Sequence, residues 1–185
     1  MTQQKSKKSN GQNSKTDVIE LLTADHQKVK KLFKEFKGLK DEKNNGAKKA
    51  KIVKQICREL TIHAKAEEEI FYPAAREAIN DEDLMDEADV EHACAKELVA
   101  QLQTMGADES HYDAKVAVLR EYIKHHVKEE EGKMFPMIKK TDLDRQALGK
   151  EISIFKGELK DKTKLASKIS KKTSTAAAKN KRPQK

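Results

Sequence analysis

Four stretches of this 185-residue chain carry an apolar helical stripe that is interrupted at six positions, and all six are histidine or glutamate. Stepping three and then four residues follows one buried face of a helix. The first stretch, about 17–38, gives Val18, Leu22, His26, Val29, Phe33 and Phe36. The second, about 47–79, gives Val53, Ile56, Leu60, His63, Glu67, Ile70 and Ala74. The third, about 84–105, gives Met85, Ala88, His92, Ala95, Val99 and Leu102. The fourth, about 112–139, gives Val116, Leu119, Ile123, His126, Glu130, Met134 and Met137. Every stripe holds at least one histidine.

The rest of the chain agrees with an all-α fold. Charged residues make up 38% and aromatics 4%, with no Trp, seven Gly and three Pro, a composition rich in helix formers. Polar stretches around Asp41–Gly46, Asn80–Asp83 and Gly106–Ser110 supply the turns between stripes, and such short connections favour antiparallel neighbours in an up-down four-helix bundle. Thr16 is the expected N-cap of the first helix. After Thr141 a shorter pattern, Leu143, Leu148, Ile152 and Phe155, predicts a short extra C-terminal helix docked on the bundle. Residues 1–15 are polar and low in complexity, and 161–185 are Lys-rich, so both read as disordered basic tails around a bundle spanning 16–160.

The charge follows the same division. The net charge is +8, but residues 1–15 carry four Lys and no acid, and 151–185 carry eleven Lys or Arg against three acids. Residues 16–150 are left mildly acidic, at −4. Cys57 and Cys94 are too few for a disulfide framework and too far apart in sequence for a thiolate metal site, so both read as small helix residues. No apolar run approaches the roughly 20 residues that span a bilayer. The N-terminus also lacks the apolar stretch of a signal peptide, so the expected location is the cytoplasm, with no membrane partner.

The six polar stripe positions form a repeat. His63-Ala-Lys-Ala-Glu67-Glu68 runs on to Pro73, and His126-Val-Lys-Glu-Glu130-Glu131 runs on to Pro136 at the same offset; Asp25-His26 and Glu91-His92 echo one another on the odd helices. Each half offers one lone histidine and one His-x3-Glu pair, whose members lie a turn apart on one helical face. Burying carboxylates without compensation costs several kcal/mol each, on the order of what a cation would remove. Imidazole and carboxylate donors together suit iron, manganese or zinc. His26, His63, Glu67, His92, His126 and Glu130 are therefore the candidate metal ligands. Glu68, Glu69, Glu129 and Glu131 read mostly as a solvated face, His111 and His125 as non-ligands, and Tyr72 and Tyr122 as core-rim residues that could approach the site from its edge.

These segments, with Leu32-Phe33, Ile70-Phe71-Tyr72-Pro73 and Phe135-Pro136, resemble the hemerythrin-like or HHE cation-binding domain over about residues 17–160. The resemblance implies two iron ions, carboxylate- and oxo- or hydroxo-bridged. It implies His26 and His63 on one, His92 and His126 on the other, and Glu67 and Glu130 across both. The oxygen-carrying hemerythrins place a second histidine one turn after the first on the third helix, where this chain has Lys96; they also space the fourth-helix carboxylate five residues from its histidine, here four. The site is thus more symmetric and poorer in histidine than an oxygen carrier's.

The resulting expectation is a non-haem di-iron protein that binds or reacts with O2, peroxide or NO in sensing, scavenging or iron handling. A peroxidase- or oxidase-like di-iron enzyme is the alternative in another class. A third reading makes the bundle a metal-stabilised module, held to nucleic acid by sequence-independent contacts of its basic tails.

Overall fold

Each stripe lies on a helix, and the computed structural model describes residues 17–39 and 45–179, with side chains as far as 166. Helix α1 is Val18–Gly38, and its cap is Asp17, whose carboxylate accepts from the Ile19 N–H at 2.8 Å. Thr16, the expected cap, lies outside the described residues. The Asp17 oxygen satisfies an otherwise unpaired amide and places negative charge at the helix's positive end. Helix α2, Gly46–Ala66, passes through a π-helical turn, Glu67–Phe71, into α3, Tyr72–Ala78. Helix α4 is Glu82–Thr104, capped by Asp81 through the Leu84 N–H. Helix α5, Tyr112–Glu129, passes through a second π-helical turn, Glu130–Met134, into α6, Phe135–Ile138. These four rods are the all-α bundle, with α1 beside α2, α2 beside α4 and α4 beside α5.

The last helix is longer than the sequence pattern suggests. Helix α7 runs Arg145–Lys179, 35 residues, so the expected boundary at 160 falls inside it and the chain from 161 to 179 is helical. The Lys-, Ala- and Ser-rich sequence after Gly157 contains no Gly or Pro before Pro183, so nothing in it stops a helix already begun. Its first part is docked through the face that carries Ile152 and Lys156, both buried, whereas Leu165 further on is exposed. It lies against α1, α2 and the Glu67–Phe71 turn. The expected N-terminal tail, residues 1–15, and the end of the chain, 180–185, lie outside the described residues. Among the described residues no helix is long and apolar enough to cross a membrane.

The two π turns displace the predicted stripes by one residue. In each turn the amide closing it reaches back five residues, Tyr72 N–H to the Glu67 carbonyl and Phe135 N–H to the Glu130 carbonyl. Pro73 and Pro136 follow directly, and the wider turn accommodates a ring that would collide with the carbonyl four residues back in an α-helix. Beyond the turns Phe71, Tyr72 and Ala75 are buried in place of Ile70 and Ala74, and Phe135 and Ile138 in place of Met137.

The core divides into two apolar clusters. One is built around Val18, Leu22, Phe71, Met85, Met134 and Ile152. The other is built around Val29, Phe33, Ile56, Leu60, Val99 and Leu119. The six polar stripe residues form the layer between them.

Candidate metal centre

Between two apolar clusters a polar side chain has no water to turn to, so its partners must come from the protein or from a bound ion. His26, His63, Glu67, His92, His126 and Glu130 are all buried, with Glu67 and Glu130 at 0% and 1% exposure. His26 comes from α1, His63 from α2, His92 from α4 and His126 from α5, while each glutamate opens a π turn. The helices place donors of His26, His63, Glu67 and Glu130 within 4.8 Å of one another, and donors of Glu67, His92 and His126 likewise. Glu67 belongs to both groups: one oxygen lies 3.1 Å from His63 Nε2 and the other 3.4 Å from His92 Nε2. Glu130 Oε2 stands 3.1 Å from His26 Nε2 and 3.6 Å from His126 Nε2.

Four further carboxylates fix the imidazoles. His26 Nδ1 is 2.9 Å from Glu131, His63 Nδ1 3.3 Å from Asp25, His92 Nδ1 2.9 Å from Glu68, and His126 Nδ1 2.8 Å from Glu91. An ionised carboxylate only accepts, so each Nδ1 carries a proton and each ring turns its Nε2 inward. The arrangement repeats between the halves. The acid before a lone histidine, Asp25 or Glu91, serves the His-x3-Glu histidine of its own half. The acid after each π-turn glutamate, Glu68 or Glu131, serves the lone histidine of the other half. Two lysines hold two of these acids: Lys156 from α7 bonds Asp25, and Lys96 bonds Glu68 at 2.8 Å.

The lone pairs converge with almost no donor to meet them. His26 Nε2, both oxygens of Glu67 and Glu130 Oε2 are buried without a hydrogen bond, although their neighbours lie at contact distance. His92 Nε2 and His126 Nε2 are 3.2 Å apart. Such a set is tolerable when protons or cations occupy its centre. Without a metal the protons do so. Burial favours neutral imidazole at His26, but Glu130 and Glu67 outweigh it and hold the group up at about 9. His92 is also held at about 9, again against burial, chiefly by Glu67 and Glu68. Burial opposes ionisation of Glu130 too, yet His126 and His26 pull its carboxyl well down. The donors are therefore the mixed nitrogen and oxygen set that suits iron, manganese or zinc, and their orphaned atoms fit a cation.

Tyr72 is part of this layer and not of the core rim. It is 3% exposed, and its hydroxyl donates to Glu130 Oε1 at 3.0 Å while lying 3.1 Å from His92 Nε2 and 3.4 Å from His126 Nε2. The corresponding position of the other half is Phe135, whose ring stacks on His26 at 6.0 Å. Tyr72 therefore breaks the two-fold likeness of the halves. Burial raises its hydroxyl well above the ordinary range, with Glu130 and Glu67 adding to the effect, so it stays a donor. Tyr122 is 46% exposed and takes no part.

Glu68 and Glu131, read as solvated, instead orient His92 and His26; Glu69 is exposed, and Glu129 pairs with Lys133. Asp25 and Glu91 were missed as orienting groups, although their recurrence before a histidine in both halves was the available signal. His125 sits outside, 3.4 Å from Glu91, and His111 is exposed in a left-handed turn beside Ser110. A cavity of about 40 Å³ adjoins the centre, with walls from Val29, Leu60, Ala95, Val99, Ile123 and Val127.

Residues 17–138 match the family model described as Hemerythrin HHE cation binding domain. A protein of Nostoc sp. (strain PCC 7120) named DNA nickase is 29% identical over 123 residues, which are 66% of this chain and 34% of that one. An uncharacterized hemerythrin-like protein of Schizosaccharomyces pombe is 25% identical over 135 residues, 72% of this chain and 64% of its own. The chain thus spans about a third of the first relative and under two thirds of the second. A crystal structure of a Hemerythrin HHE cation binding domain-containing protein from Mycobacterium kansasii superposes with a TM-score of 0.65 at 22% identity, covering 79% of this chain and 88% of the other. At that identity the likeness concerns the fold.

Proposed function

This chain belongs to the hemerythrin HHE cation-binding family, and from that premise we propose that it is a non-haem di-iron protein that binds or reacts with O2, peroxide or NO. His26 and His63 would hold one iron, His92 and His126 the other, with Glu67 and Glu130 shared. The observation that carries this reading is the inward set of orphaned donor atoms, together with the way Glu67 divides its oxygens between the two histidine pairs. Six donors leave each of two ions short of six-coordination, and iron with open positions supplies affinity for small oxygen- and nitrogen-containing ligands.

The chain's own groups would adapt the site to that task. Asp25, Glu68, Glu91 and Glu131 keep the imidazoles in one tautomer and raise their donor strength. The apolar cavity beside the centre has room for about one or two molecules of water size, and its walls offer a diatomic guest no competing hydrogen bond. Tyr72 places one O–H at the centre, next to Glu130 and the His92/His126 pair. A small anionic guest at the centre would compete with Glu130 for this donor.

The test is anaerobic loading of metal-free protein with Fe(II), followed by metal analysis and a near-UV and visible spectrum after air, peroxide or NO. Two irons per chain and an absorbance that His63→Ala abolishes and His125→Ala leaves intact are expected. Less than one iron per chain, or a spectrum indifferent to His63→Ala, would overturn the assignment. Tight stoichiometric binding of zinc or manganese in preference to iron would keep the site and remove the proposed reactivity.

A further inference from the structure

A groove of about 800 Å³ runs between α1 and α5, and its charge is unlike that of the body around it. On the α1 bank stand Lys30, Lys31, Lys34 and Lys37; on the α5 bank stand Arg120, Lys124 and Lys128. Glu131 is the sole acidic residue in its lining. Yet residues 16–150 as a whole are net negative. Seven cations therefore line one groove of an acidic body.

Their spacing is regular and mostly uncompensated. Lys30, Lys34 and Lys37 follow one another a turn apart, as do Arg120, Lys124 and Lys128, so each bank carries a cation about every 5–6 Å over roughly 10–12 Å. Arg120 and Lys124 share Glu121. For Lys30, Lys31, Lys34, Lys37 and Lys128, no carboxylate of the described residues lies in ion-pair range. Phe33, Ile123 and Val127 contribute apolar surface between the banks, and His26 and Glu131 stand in the same lining. Gathering like charges this way costs free energy unless an anion joins them.

We infer that this groove binds the backbone of single-stranded nucleic acid, with one strand lying between the two lysine banks. A lone carboxylate or phosphate would need cations at one point, whereas these are strung along both banks, as a linear polyanion requires. A duplex is the poorer fit: Ile123 and Val127 give the groove an apolar surface that the unpaired bases of a single strand can cover, whereas a duplex keeps its bases stacked inside. Contacts to phosphate carry no base code, so binding is sequence-independent and salt-sensitive. Glu131 repels the strand beside His26 and so keeps phosphate away from the metal layer. This surface is on the folded body and is separate from the expected contacts of the basic tails.

The experiment is fluorescence anisotropy of the full chain with a labelled oligothymidylate across a potassium chloride series. A groove variant, Lys30→Gln/Lys34→Gln/Lys124→Gln/Lys128→Gln, should lose at least about tenfold in affinity at low salt and flatten the log–log salt dependence by about 3, at 0.7 per cation removed. All four side chains are exposed, so circular dichroism should show unchanged helicity. The milder pair Lys34→Gln/Lys124→Gln should fall between this variant and the parent. A tail variant, Lys5→Gln/Lys7→Gln/Lys8→Gln/Lys15→Gln, should stay within threefold of the parent. Unchanged binding by the groove variant, loss confined to the tail variant, or a duplex of the same length bound as tightly as the single strand would overturn the inference. So would polyphosphate held more tightly than the oligonucleotide, or self-association that the groove variant abolishes without nucleic acid present.

Discussion

His26 and His92 carry their raised pKa into the stability of the metal-free chain. Both sit near 9 when folded against an ordinary 6.5, so the folded chain holds more protons than the unfolded chain between those values. The stability they contribute is complete below about 6.5 and is lost as pH rises through 9. Glu130 and Glu68 are depressed below 4.5, so their contribution is present at 6.5 and is lost only in acid. Protein stripped with a chelator should accordingly unfold at lower urea at pH 9.5 than at pH 6.5. Metal uptake must displace the same protons, so apparent metal affinity should climb across that window. Urea midpoints at the two pH values, with and without chelator, check both statements. A stripped protein that gains stability toward pH 9.5 would contradict the assignment of those protons.

At the scale of the element, the π turns and α7 decide how the layer is supported. Each turn starts at a shared-position glutamate and ends before a proline, so the residue that turns the helix face also supplies the donor. Without the added residue, Phe71 and Phe135 would rotate off the core and the glutamates would lose their floor. Helix α7 acts from outside through Lys156, which holds Asp25 and thereby His63. If its first part is integral to the fold, Ile152→Ala should cost about 2–5 kcal/mol, the range for a large-to-small change at a fully buried site. Ile154→Ala, two residues on and 65% exposed, should stay within about 0.5 kcal/mol. Chemical denaturation of the two variants tests the docking, and equal effects would place α7 off the bundle.

For the whole molecule, the metal layer lies between two apolar clusters that share the same long helices, so an ion bound there stabilises both. Metal held at one hundred times its dissociation constant adds about 2.7 kcal/mol to unfolding. Loading should move a single far-UV melting transition upward without splitting it, and chelation should reverse the shift. Two separated transitions would mean that the clusters unfold independently.

Much of this was legible in the amino-acid sequence. The four stripes and the six interruptions follow from local periodicity, because a helix's repeat decides which side chains share a face before any neighbour is known, and the antiparallel order follows from the short connections. The doubling of His-x3-Glu and of the acid–histidine pairs follows equally from the chain itself. The family resemblance, also read there, extends to the fold and to cation binding. Tertiary structure decided the rest. Whether an acid beside a histidine faces water or crosses to an imidazole of the other hairpin depends on how the rods are rotated, so Glu68 and Glu131 were misread and the roles of Asp25 and Glu91 went unseen. Tyr72 enters the centre because the π turn adds one residue, a rotation of the helix face that a regular 3.6-residue repeat does not contain. The lysines of α1 and α5 line one groove only once the fold brings two helices distant in sequence to the same opening.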